Sequence, residues 1–246
     1  MIAGTLPRVT GAGLAFLVLL AGSAWLLRGS WPGGEEVLDL TPGAAPRGSA
    51  VATGADPLEP GRRWVSETAT ATGVPAVALA AYARAQLRVR ADDPGCHLGW
   101  TTLAGIGRVE SHHGTLGGRT LGIDGVPSPP VVGPALDGRP GFRAIRSTPG
   151  STRWHGDPTW EHAVGPMQFL PETWERYAAD GDGDGVEDPH DLDDAALAAA
   201  AYLCDGGADL ATGPGWTAAV LRYNASRDYV RDVLAEATTY ASATGG

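Results

Sequence analysis

Apolar residues in this chain fall into blocks divided by glycine and proline, and from about residue 62 most blocks carry helical spacing. Trp64 to Thr72 predicts a helix stopped by Gly73. Pro75 then opens PAVALAAYARAQLRVR, with proline in the first turn and strong helix formers after it. A third helix is expected over His97 to His112, ending at Gly114. Pro171 opens PETWERYAA. Asp193 and Asp194 occupy the first turn of DDAALAAAAYLC, where carboxylates suit the helix dipole, and Gly206 ends that run. Trp216 to Tyr223 and Ser226 to Ser242 complete the set, so a mainly α domain over 62–246 is predicted.

Three stretches break this pattern. Residues 9–27 carry no charge and lie between Arg8 and Arg28, a length that can cross a bilayer. The segment 1–28 is therefore expected to be a single-pass membrane anchor with the rest of the chain exported, or else a signal peptide removed on secretion. Residues 29–61 hold seven Gly and five Pro with little periodicity, which predicts a disordered linker. Residues 114–162 hold ten Gly and seven Pro. So long an irregular segment inside a domain is usually functional, and TLGIDGV and PPVVGPAL within it read as short strands or a small hairpin.

Charge narrows the class of partner. The net charge of −10 argues against nucleic acid. Eight carboxylates lie between Asp180 and Asp194 with no basic residue among them, and without them the chain carries only −2. Such a block repels itself unless a cation neutralises it. The stretch fits an EF-hand loop pattern, with Asp180, Asp182 and Asp184 at positions 1, 3 and 5 and Gly185 at the sharp turn. The Val186 carbonyl, Asp188 and Asp191 follow at positions 7, 9 and 12. Asp191 is shorter than the usual glutamate, so structural calcium is expected with weak affinity, about 10⁻⁴ to 10⁻³ M. Cys96 and Cys204, an even pair in an exported chain, predict one disulfide.

Three short motifs carry candidate chemistry. In IGRVESHHG, helical phasing puts Glu110 on the apolar side of its helix, in the last turn. Burial and the dipole both disfavour its charged form, which is what a general acid near neutral pH requires. His112 and His113 are adjacent rather than one turn apart, so they do not form a zinc motif with Glu110. In AVGPMQFLPETW, Gln168 offers a donor and an acceptor from an apolar wall, which suits a sugar. In VLRYNAS, Asn224 is the only asparagine of the chain and follows Tyr223 at a helix end.

Glu110-Ser111 at a helix end, then GPMQFLPETW, the acidic loop and Tyr223-Asn224, in that order, resemble the lytic murein transglycosylase B family, in particular its exported actinobacterial members. The resemblance spans about residues 62–240 and implies a lysozyme-like transglycosylase domain acting on peptidoglycan strands. It implies cleavage of the MurNAc–GlcNAc β-1,4 bond with release of 1,6-anhydro ends, and an EF-hand-like calcium site at the acidic loop. Residue by residue, it makes Glu110 the single catalytic acid/base and Gln168, Tyr223 and Asn224 the glycan contacts. It also points to Thr159, nine residues before Gln168, where the family often has a serine near the site. The chain is expected to act as a monomer. Two alternatives stay open. One is a hydrolytic muramidase with Asp124, Asp157 or Glu161 as base, since hydrolysis needs a second carboxylate. The other is a non-catalytic, calcium-stabilised glycan-binding domain.

Overall fold

The computed structural model describes residues 43–245. The expected membrane segment lies outside the described residues, and among those described no helix is long and apolar enough to cross a membrane. The architecture is mainly α, as expected. Eight helices run α1 (Arg62–Thr72), α2 (Ala76–Asp92), α3 (Trp100–Ser111), α4 (Pro149–His155), α5 (Pro171–Tyr177), α6 (Leu192–Cys204), α7 (Gly213–Tyr223) and α8 (Arg227–Ala243).

Small side chains decide the packing. α2 lies on α6, and Ala78, Ala81, Ala83 and Ala85 of the first and Ala195, Ala196, Ala198, Ala199 and Ala200 of the second are all buried. α3 lies on α8, closely enough that a Cβ on Gly105 would stand 2.9 Å from the carbonyl oxygen of Val233. Large residues fill the remaining gaps. Trp100, Trp174 and Trp216 are fully buried, and the Trp216 indole donates to Thr102 Oγ1 at 2.9 Å. The Cys96–Cys204 disulfide forms, joining the turn after α2 to the end of α6.

Several boundaries differ from expectation. Helix α3 starts at Trp100, because His97 adopts a left-handed backbone and the Trp100 amide donates to the Gln86 side chain. Helix α4 was not anticipated, although Thr148 caps it reciprocally with Ser151 and Pro149 opens it. TLGIDGV is not one strand: Thr120–Leu121 (β1) pairs antiparallel with Pro127–Ser128 (β2) around a turn, and PPVVGPAL contributes one isolated bridge, Val132 to Val164. The described part of the expected linker, residues 43–61, is packed rather than free. Val51 is buried, the Pro46 carbonyl accepts from Thr101, the Ser49 carbonyl accepts from Trp100, and Glu59 pairs with Arg84. Glycine and proline preclude a helix there, but carbonyls aimed at side chains of α3 order the strap.

Candidate active site

Glu110 sits in the last turn of α3 and is 6 % exposed. Its Oε1 accepts the Tyr229 hydroxyl at 2.6 Å, from the first turn of α8. Burial drives its pKa up from 4.5 to about 8, and the tyrosine hydrogen bond offsets only part of that rise. With Oε1 occupied by a donor, the acid proton belongs on Oε2. Tyr229 is a site residue that the sequence motifs missed. Its ring stacks on Tyr223, 6.5 Å between centroids and 9° between planes.

The end of α3 is tied to the loop that carries Gln168. Ser111 Oγ donates to the Pro166 carbonyl at 2.6 Å and accepts from the Gly114 amide at 2.7 Å. Gln168 adopts a left-handed backbone, φ 51°, and its side-chain amide donates to the Gly165 carbonyl at 3.0 Å. Gly133 of the glycine-rich segment leaves room for the other end of that side chain, since a Cβ there would stand 2.7 Å from Gln168 Oε1. Gly165 itself, φ 75°, presses against the Pro189 carbonyl of the acidic loop and has no space for a side chain.

Glu110, Gln168, Tyr223 and Asn224, far apart in sequence, line one cleft together with Phe169, Leu170, Thr173 and Tyr202. The cleft holds about 40 Å³, room for a few waters and too little to enclose a sugar-sized ligand, which could only lie across its mouth. Tyr223 directs its hydroxyl to the Met167 carbonyl at 2.8 Å, which braces the Gln168 loop. Asn224 is buried at the junction of α7 and α8, where its Oδ1 accepts the Ser226 amide at 3.2 Å. Thr159 does not join them. It is exposed, and its amide and carbonyl serve loop contacts to Asp157 and Ser147.

Glu110 is the only carboxylate on the cleft lining among the described residues. Asp124 belongs to the β1–β2 turn, where it accepts the Val126 amide. Asp157 pairs with His162 at 3.2 Å, and buried Glu161 accepts His155 Nε2 at 2.6 Å. None of the three lines the cleft.

The acidic loop gathers a different set of carboxylates from the expected one. Asp180, Asp182 and Asp194 bring one oxygen each within 4.8 Å of the others. Asp191 instead caps α6 by accepting the Asp193 amide. Asp194, three residues on, leans back over the loop as helical side chains do, and accepts the Gly181 and Asp188 amides at 2.6 and 2.8 Å. Asp184 and Asp188 turn their carboxylates onto the Val186 and His190 amides. Burial, opposed by those amide bonds and reinforced by Asp191 and Asp182, lifts the Asp194 pKa to about 7. An all-oxygen set of this kind fits a hard divalent cation.

Residues 152–216 match the family described as the transglycosylase SLT domain. The match takes in Gln168, the cleft wall after it and the acidic loop; Glu110, Tyr223, Asn224 and Tyr229 lie beyond its ends. Comparison with curated proteins and with solved structures gives no match.

Proposed function

We propose that the chain is a peptidoglycan lytic transglycosylase that cleaves the MurNAc–GlcNAc β-1,4 bond and leaves a 1,6-anhydro-MurNAc end. The observation that carries this is a single buried carboxylic acid, Glu110, held protonated at neutral pH on a cleft with no second carboxylate among the described residues. The match to a transglycosylase domain and the order of the motifs, which resembles the B-type exported enzymes, support it.

The protonated Oε2 of Glu110 donates its proton to the glycosidic oxygen as the C1–O bond breaks, and the GlcNAc end leaves with a free 4-hydroxyl. The carboxylate then takes the proton of the MurNAc C6 hydroxyl while that oxygen bonds to C1. Glu110 regains its proton, and no water is consumed. Intramolecular attack replaces the second carboxylate that hydrolysis needs. Asp124, Asp157 and Glu161 are engaged elsewhere, so the muramidase alternative finds no base on the lining. Glu110→Gln is expected to abolish muropeptide release while the fold persists, and mass spectrometry of the wild-type products should find anhydro ends. Reducing ends, or full activity in the variant, would sink the proposal.

The same reading includes a structural calcium at Asp180, Asp182 and Asp194, and tethering of the domain outside the membrane by residues 1–28. The cation would offset part of the charge of the acidic loop, and that loop supports the Gln168 wall through the Gly165–Pro189 contact. The tether is tested by fractionation: recovery of the intact chain from membranes supports it, and a soluble chain shortened at its N-terminus refutes it.

A further inference from the structure

The segment from Gly138 to Gly156 carries four arginines and no Asp or Glu, in a chain of net charge −10. All four arginines are exposed. Three of them lie on aromatic rings: Arg139 is 4.5 Å from the centroid of Phe142, Arg146 is 4.0 Å from that of Trp160, and Arg153 is 4.4 Å from that of Trp154. Stacking fixes one face of a guanidinium and leaves its in-plane N–H edge for a planar acceptor. The guanidiniums of Arg146 and Arg153 have no hydrogen-bond or ion-pair partner among the described residues, and both side chains are exposed.

This arginine-bearing segment, a second strap distinct from residues 43–61, is joined to the cleft. Ile145 and Phe142 pack on the buried group Leu136, Ala163 and Leu170, and Leu170 lines the cleft. Backbone bonds hold the register: the Ile145 amide donates to the Leu136 carbonyl, and the Glu161 amide donates to the Ile145 carbonyl, both at 2.9 Å. Ile145 therefore faces the cleft wall while its neighbour Arg146 stacks on Trp160 on the outer side.

From this geometry we infer that the arginine strap binds the carboxylates of the peptide stems on the strand being cut. The inference rests on the proposed function and extends it to substrate recognition. A glycan without stems offers only the lactyl carboxylate of each MurNAc, held at the sugar itself, whereas a stem carries its carboxylates outward from the strand. A long polyanion such as a phosphate polymer would also meet the acidic loop and be repelled, whereas discrete carboxylates beside the scissile bond would not.

The test uses the full chain in detergent and the variant Arg146→Gln/Arg153→Gln. Sacculi freed of phosphate polymers with hydrofluoric acid are compared with the stripped glycan strands that an amidase releases from the same sacculi. At limiting substrate the variant should release product roughly 3- to 10-fold more slowly from stem-bearing sacculi, as expected for two exposed ion pairs. It should match the wild type on the stripped strands. Added salt should erase the difference. Equal rates on stem-bearing sacculi, or the same deficit on both preparations, overturn the inference. A deficit confined to sacculi that keep their phosphate polymers overturns it in favour of phosphate. Cosedimentation with stem-bearing sacculi in a Glu110→Gln background, competed by the stripped strands, reads binding without turnover. An inactive wild type that still prefers stem-bearing sacculi would refute the proposed function and leave the strap's role standing.

Discussion

Tyr229→Phe isolates the hydrogen bond that tunes the acid. The ring is buried and stacked on Tyr223, so phenylalanine keeps the packing and removes only the hydroxyl that donates to Glu110 Oε1 at 2.6 Å. A hydrogen bond to a charged acceptor contributes about 1.5–3 kcal/mol and one to a neutral acceptor about 0.5–1.5. The difference, about 1–1.5 kcal/mol, favours the carboxylate and amounts to roughly one pKa unit. Without it, burial acts unopposed and the pKa of Glu110 rises further above about 8. In the proposed mechanism Glu110 must be protonated to start the reaction, so activity falls as pH rises through its pKa. The alkaline limb of kcat/KM for peptidoglycan cleavage should therefore move from near pH 8 in the wild type to roughly one unit higher in the variant. A variant limb that coincides with the wild type, or moves toward acid, would refute the argument even if the variant is slow.

Three further outcomes are expected. Glu110→Gln should stabilise the fold at pH 7, because a carboxyl raised from 4.5 to about 8 loses stability as pH climbs between those values. The gain is at most about 3 kcal/mol, and denaturant titration should find it gone below pH 4.5, where both side chains are neutral. Calcium at about 10 mM should stabilise the wild type by roughly 1.4–2.7 kcal/mol if its affinity is that of an extracellular module. Thermal melts of Asp194→Asn should show a much smaller response, and an equal one would remove Asp194 from the proposed site. Replacing Cys96 and Cys204 with serine frees a loop closed across 108 residues and should cost about 4–5 kcal/mol, read as a lower denaturation midpoint.

How far the sequence predicts this molecule depends on the range of the interaction. Local patterns served well: small-apolar runs bounded by glycine and proline predicted most helices, and helical phase put Glu110 on a buried face. Partners set by tertiary packing were not legible. Tyr229 meets Glu110 across 119 residues, and nothing in RDYVRD distinguishes it from any tyrosine on an amphipathic helix. Tyr223, in the more conspicuous Tyr-Asn pair, braces the Met167 carbonyl instead. The acidic loop shows a third case. A linear template assigns its last position by counting, but α6 begins at Leu192, where Asp191 caps the helix and Asp194 turns back to the loop.

The cost of the acid locates the energetic demand on the scaffold. Holding Glu110 neutral at pH 7 spends stability that the same position would not cost with glutamine, so the site persists only because its walls are over-determined. Ser111 ties the helix end to Pro166, Tyr223 ties α7 to Met167, and Gly165 ties the same loop to Pro189. Those three contacts converge on one five-residue turn that ends at Phe169 of the cleft lining. The acidic loop lies at the far side of that turn, so a cation there would act on the cleft only by stiffening it. Loss of the cation should then lower kcat through misplacement of Gln168 while the alkaline limb set by Glu110 stays where it is. A limb that moved with calcium would mean that the loop tunes the acid electrostatically. Salt would then be expected to move the limb as well, because exposed charges are screened within about 10 Å at 0.1 M ionic strength.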